Sequence, residues 1–226
     1  MEKIIATLCG EQMPDPAALA AGLREAGATA VRINLRDEAV APAAGLVQQS
    51  GASLPDAVVQ FWLPSANPAR LGATDTVLAR YGTVTGQWLV TESTIIANTL
   101  HPPMAGERTH GFAQMAFLTL PEGRAWADWR RIWRDGHTQV AIDTQSNFEY
   151  VQNLVVEPLA DGAAPFVAVV EECFPPAAMT DPLTFFDAAG DKAKFERNLA
   201  AMMESCARFI TPGTIDVFAT SQYDFA

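Results

Sequence analysis

Basic charge, cysteine and long apolar runs are all scarce in this chain. Its 226 residues carry 15 Lys and Arg against 26 Asp and Glu, for a net charge of −11 and a pI near 4.6. That balance repels a phosphate backbone or an anionic membrane surface, so neither nucleic acid nor membrane is expected as a partner. No segment approaches the roughly 20 apolar residues that cross a bilayer. The start, Met1-Glu2-Lys3-Ile4-Ile5, lacks the basic region, apolar run and cleavage site of a secretory signal, and a cytoplasmic location is expected. Three cysteines, Cys9, Cys173 and Cys206, form no C-x-x-C pair and have no histidine at ligand spacing. They read as small buried hydrophobes, and no metal is expected. The GxGxxG, P-loop, HExxH and GxSxG patterns are missing too, so nucleotide, zinc-protease and serine-hydrolase chemistry have no support and no cofactor is expected.

Apolar residues make up 49% of the chain and charged residues 18%, the composition of a folded globule. The order of elements repeats. Lys3 to Cys9 is β-rich, and Asp15-Pro16 is a cap followed by proline that opens a helix ending at Gly27. Ala30 to Leu35 and Ala57 to Leu63 alternate as half-buried strands, with Ala39 to Pro55 between them as a long loop. A helix over Asp75 to Tyr81 and a strand over Thr85 to Ile96 complete βαββαβ. In the second half, Phe112 to Leu120 is a strand. Trp126, Trp129 and Trp133 then mark one face of a helix that Gly136 interrupts, and the helix resumes from His137 to about Gln145. Phe148 to Val156 and Phe166 to Phe174 are paired strands. Asp191 to Ile210 carries a stripe of Phe195, Leu199, Met202, Cys206 and Phe209, and Ile215 to Thr220 closes the unit. The predicted boundaries are a first unit over 1–98, a linker over 99–110 and a second unit over 111–226.

The fold class this predicts is α+β, with two tandem ferredoxin-like βαββαβ units whose antiparallel sheets pack face to face as a barrel. Each four-stranded sheet has helices on one side only, and packing the bare faces together covers both. Their inward positions mix large apolar residues with isolated polar ones, so a ligand-sized chamber is expected between the sheets.

This pattern resembles the EthD-like branch of the dimeric α/β-barrel superfamily. The resemblance is carried by Trp133-Arg134-Asp135-Gly136-His137-Thr138, by Tyr150-Val151-Gln152-Asn153, and by Glu171-Glu172-Cys173-Phe174-Pro175 leading to Phe185-Phe186-Asp187 and Asp191-Lys192. It covers Gly111 to Ala226. In the first half it rests on element order, with Arg32-Ile33-Asn34-Leu35 standing where the second unit has its Tyr-Val-Gln-Asn strand. What it implies is a barrel closed by a partner unit and used for small aromatic or ketonic molecules. Relatives include heme-free monooxygenases, polyketide cyclases and dehydratases, and accessory proteins of ether degradation.

His137 is the candidate catalytic residue, because an imidazole that titrates near neutral pH passes a proton either way. The structural alternative is a histidine at a broken helix end, where the dipole favours its cation. Tyr150 and Gln152 share a strand face and are candidates to hold a ligand oxygen, with Trp133 beside them; a rim tyrosine and a strand-bonding amide are the alternative. Glu171 and Glu172 are adjacent, so one points into the barrel and the other away. A carboxylate in an apolar chamber has its pKa raised and can act as a base, whereas pairing with Arg32 is structural. Arg32, Asn34 and Trp62, with Gln60, Trp88 and Glu92, form the first unit's inward layer, and Glu172, Arg32, Asn34 and Trp62 complete the candidate ligand-binding set. His101 and His110 read as surface histidines.

The expected function is cofactor-free acid/base chemistry on a small hydrophobic molecule held in the barrel. The alternatives are an accessory protein that holds such a molecule without changing it, and a fully packed structural component. A homodimer is also open: closing both sheets within one chain removes the need for an obligate partner, yet exposed outer edges could still pair.

Overall fold

The computed structural model describes residues 1–51 and 53–225. In chain order the elements are β1 (Glu2–Cys9), α1 (Pro16–Glu25), β2 (Ala30–Leu35), β3 (Ala57–Leu63), α2 (Pro68–Leu78) and β4 (Thr83–Ile96). The second unit follows with β5 (Phe112–Thr119), α3 (Trp126–Arg131), α4 (Thr138–Thr144), β6 (Glu149–Pro158), β7 (Phe166–Phe174), α5 (Pro182–Phe185), α6 (Lys192–Ala207) and β8 (Asp216–Phe225). A 3₁₀ helix spans Glu38–Leu46 and another Pro176–Met179, while Ile132–His137 forms a π turn that joins α3 to α4. No helix among the described residues is long and apolar enough to cross a membrane.

All eight strands close into one antiparallel barrel in the order β1-β3-β2-β8-β5-β7-β6-β4. Within each unit the order is fourth, first, third, second strand, the arrangement of a βαββαβ unit. The units join where β2 meets β8 and β4 meets β6, so closure leaves no sheet edge open. This is the dimeric α/β-barrel fold, completed within one chain.

Local chemistry explains the elements. Asp15 caps α1 by accepting from the Ala17 N–H at 3.0 Å, with Pro16 in the first turn. Asn67 and Pro68 repeat the device for α2, which therefore starts seven residues before the expected Asp75. There the cap is hidden in the loop-like run Pro64-Ser65-Ala66-Asn67-Pro68. β8 runs on past Thr220 to Phe225, because its second half pairs with β2 of the other unit, from Leu35↔Ser221 to Val31↔Phe225. The expected loop over Ala39 to Pro55 holds the first 3₁₀ helix, capped by the Asp37 carboxylate on the Ala39 N–H.

The barrel interior is filled, which corrects the expectation of a chamber between the sheets. In one zone Ile5, Val58, Trp88, Val90, Met115, Phe117, Val169 and Phe218 form a packed apolar cluster. In the other, the fully buried Glu171 accepts from Arg32 (3.0 Å), Asn34 (2.7 Å), Gln60 (2.9 Å) and Gln222 (2.8 Å). Arg32 also makes a two-pronged pair with Asp224 at 2.7 and 2.9 Å and donates to Glu149 at 2.7 Å. Lys3 bonds Glu92 at 2.6 Å and lies 4.7 Å above the Trp62 ring. Burial raises the Glu171 pKa, but the opposing attraction of Arg32 and Lys3 and the bonds from Gln222 and Gln60 hold the carboxyl well below its usual range. This polar network plugs the barrel, with the Gln60 and Gln222 side-chain oxygens left without a partner among the described residues.

The outer faces differ between units. Against α1 and α2, the first sheet packs Ile4, Ala6, Ile33, Val59 and Phe61 on Leu19, Leu23 and Leu78 in a closed apolar core. The second sheet is not sealed by its helices, and there the candidate site lies.

Candidate functional site

The outer face of the second sheet forms the floor of a pocket of about 620 Å³, within the range of small-molecule sites. Register sets the floor pattern. Tyr150 on β6 is directly opposite Glu172 on β7, and Glu172 is directly opposite Gln114 on β5. One row across the floor is therefore a phenol, a carboxyl and an amide. In the next row Gln152 stands opposite Val170, but the members that line the pocket, Val170, Ala116 and Val217, are apolar, and Leu118 lies beyond them.

The walls come from the helices. Trp129, Trp133, His137 and Ala141 recur every four residues and are all buried. A regular helix would rotate such a series steadily off its face, since its period is 3.6. The π turn over Ile132–His137 widens the spiral and absorbs the drift. The helix is thus widened where Gly136 was expected to break it, and His137 is not a terminal cap. Trp129 stacks on Trp133 with centroids 5.1 Å apart and donates to the Phe209 carbonyl at 3.1 Å, tying α3 to the end of α6. Of the expected stripe of α6, Met202 and Phe209 are buried and line the cavity together with the half-buried Cys206, while Phe195 and Leu199 are half-buried and lie outside its lining. Trp126 faces away, 44% exposed beneath Arg130.

The chemistry centres on Glu172. Its side chain is buried, it accepts one hydrogen bond from Asn147 at 2.8 Å, and no basic side chain lies within ion-pair distance of it among the described residues. Burial pushes its pKa up to about 7, against the smaller opposing effect of Asn147. Tyr150 is held protonated, raised first by burial and then by the Glu172 charge. Its hydroxyl and the Thr138 hydroxyl both accept from Gln152 Nε2, at 2.8 and 2.9 Å. The His137 Nδ1 bonds Ser205 Oγ at 3.0 Å, and its ring lies 4.6 Å from that of Phe209. Burial, then the nearby Arg208 charge, lowers its pKa to about 4. Within the pocket, the group poised to exchange a proton near neutral pH is the carboxyl, and the imidazole is neutral. Cys206, also in the lining, is pushed up to about 11 by burial and by Glu172.

Of the sequence-predicted residues, the structure brings His137, Trp133, Tyr150 and Glu172 together around the pocket. Gln152 lies behind Tyr150. Tyr150 and Gln152 face the helices and not the barrel, because Glu171 and its alternating neighbours take the inward positions. Arg32 and Asn34 lie on the other side of the sheet in the Glu171 network, and Trp62 lies under Lys3, so none of these three reaches the pocket. Sequence reading missed Gln114, Asn147 and the segment around Leu46 and Gln48. Gln114 had a signal: it is the one polar residue in Phe112 to Leu118. The His101 and His110 rings are tilted against each other with centroids 4.0 Å apart, and His101 lies edge-on to Phe148, away from the pocket.

Comparison with solved structures places this architecture in a known class. The crystal structure of an anthrone oxidase-like protein matches with a TM-score of 0.53 over 99% of this chain and 92% of that one, at 8% identity. A protein assigned as a chlorite dismutase matches with a TM-score of 0.43 over 98% of this chain and 95% of that one, at 13% identity. At 8% identity the first likeness shows the shared fold alone. No family model matches the sequence, and no curated protein is significantly similar to it.

Proposed function

We propose that the protein binds a small, largely apolar molecule with a carbonyl or hydroxyl group on the helix side of the second sheet. Glu172 moves a proton on it. The observation that carries this reading is a buried carboxyl without a cation partner, held near pH 7 in an apolar pocket. Burial of an unpaired carboxyl is costly, and a base whose pKa lies near the working pH is the one best suited to general acid/base catalysis. On an enolisable ketone, the carboxylate takes the α-proton, the C–H pair becomes the new C=C bond, and the carbonyl π pair moves onto oxygen. A Tyr150 O–H within the same row can donate to that oxygen. Neutral His137 orients the ligand. The EthD-like resemblance of the second unit supports an aromatic or ketonic ligand, and the apolar second row of the floor suits a flat ring system.

A second reading, an accessory protein that holds the ligand unchanged, is favoured by one feature: neither His137 nor Tyr150 titrates near neutral pH to serve as a partner for Glu172. Deuterium uptake separates the two. 2-Tetralone, 1-indanone and anthrone are incubated with the protein in D2O, and exchange above the buffer rate is followed by mass spectrometry. Catalysis predicts accelerated exchange at the carbon next to the carbonyl, or opposite it in anthrone, that falls about 100-fold or more in Glu172→Gln while binding persists. Binding without exchange selects the accessory reading, and absence of binding refutes both.

A further inference from the structure

The two units differ most in one connection. Between β2 and β3 the chain takes residues 36–56, three times the length of its counterpart between β6 and β7, residues 159–165. Long connections of this kind inside compact domains are uncommon and often functional. This one is built, since Glu38–Leu46 is a 3₁₀ helix of nine residues, well beyond the usual short run.

Both ends of the segment are pinned to β8, a strand of the other unit. Ser221 Oγ donates to Asp37 Oδ1 at 2.8 Å. Farther along, Gln48 and Val217 exchange two main-chain bonds at 2.9 and 2.8 Å, and the Ser50 N–H donates to Asp216 at 2.7 Å. Between the pins, Val40 and Ala43 pack on Ala178, Phe174 and Phe185. Those partners belong to, or adjoin, the second unit's own long connection, residues 175–191, which replaces the short 64–67 of the first unit. Two insertions, one from each unit, therefore meet over the pocket.

As a result Gly45, Leu46, Val47 and Gln48 line a pocket whose floor and helices belong to the other unit. Val47 is 41% exposed and Met203, on the α6 wall, is 60% exposed, which marks the mouth between them. At Gly45, one of the lining residues, a Cβ would meet nothing within 4 Å, so a larger side chain is accommodated there without a clash.

We propose that this strap of the first unit is the size-selecting wall of the second unit's pocket, with Gly45 and Leu46 setting the length of apolar ligand admitted. The inference rests on the reading that the pocket takes an apolar ligand. It explains why a unit with a sealed core of its own is part of the site.

The probes are the neutral fluorescent 6-acyl-2-(dimethylamino)naphthalenes with acetyl, propionyl and lauroyl chains, titrated into the full chain. Gly45→Trp is expected to weaken lauroyl binding relative to acetyl binding by about tenfold, and Leu46→Ala to shift the ratio about threefold the other way. Gly72→Trp on α2, where a Cβ also meets open space, serves as the control and leaves the ratio unchanged. A ratio that stays within about twofold of the parent in folded Gly45→Trp and Leu46→Ala overturns the proposal. If Gly45→Trp does not fold, Leu46→Ala alone decides. Wild-type protein that binds none of the probes refutes the pocket reading itself, whereas probe binding that ignores the strap substitutions refutes only the strap.

Discussion

Replacing Glu172 with Gln should make the protein more stable, by an amount that grows as pH rises from about 4.5 to about 7. The folded carboxyl titrates at about 7 and the unfolded one near 4.5. Its folded pKa is raised, so the stability linked to its protonation is fully present below pH 4.5 and is lost as pH rises through about 7. At about 1.4 kcal/mol per pH unit, the loss is on the order of 3 kcal/mol above pH 8. Glutamine has nearly the same shape, carries no charge and can still accept from Asn147. The variant should match the parent at pH 4, exceed it by a growing margin between about pH 4.5 and 7, and hold that margin up to pH 8.5. Urea unfolding of both proteins at half-unit pH steps measures this, and the contributions of Glu171 and His137 cancel in the difference. A gap that is constant with pH, or that closes as pH rises, would refute the reasoning. A residue that destabilises the protein at the pH where it is ionised fits a functional carboxyl and not a structural one.

The remaining expectations follow from the same geometry. With its pKa lowered to about 4, His137 stays neutral, so its ring signals in NMR should be flat from pH 8 down to about 5; a midpoint near 6.5 would contradict its burial. Because its folded pKa lies below the unfolded 6.5, stability rises with pH between those values, and His137→Gln should remove about 2 kcal/mol of that acid-side loss at pH 5. Arg32→Met strands Glu171, Glu149 and Asp224 without their shared cation and should cost about 3–5 kcal/mol in urea unfolding, with Glu171→Gln recovering part of it. Gly111 has φ +77°, and a Cβ there would overlap the Phe174 carbonyl oxygen, so Gly111→Ala should cost about 2 kcal/mol or more, lowering the thermal midpoint by about 4–8 degrees or further, or abolishing soluble expression.

Periodicity and punctuation carried the architecture far. Alternation in Ala30 to Leu35 and Ala57 to Leu63, the Asp15-Pro16 cap and the α6 stripe each reflect a local rule, and the repeated element order then leaves a small set of ways to cover two half-bare sheets. Errors arose where local chemistry was ambiguous. Asn67-Pro68 is the same cap as Asp15-Pro16 but sits in a loop-like run. Gly136 reads as a helix breaker, yet it sits in a π turn whose extra residue is stabilised by the packing of Trp133 and His137.

The candidate site was half legible. Adjacent carboxylates in a strand must face opposite ways, so Glu171 and Glu172 were bound to have different fates; which one would be paired was open. The pairing depended on Arg32, 139 positions away, and on three amides that only barrel closure brings to Glu171. Those groups fill the barrel side of the sheet, and the pocket lies on its other side.

By itself the sequence determined the strands, the helices and the doubled unit, because these follow from spacing along the chain and from caps a few residues long. Only the tertiary structure decided where the empty space is. That depends on how two insertions from different units meet over the second unit's sheet and helices, and no local pattern encodes the volume left between surfaces that meet through distant residues.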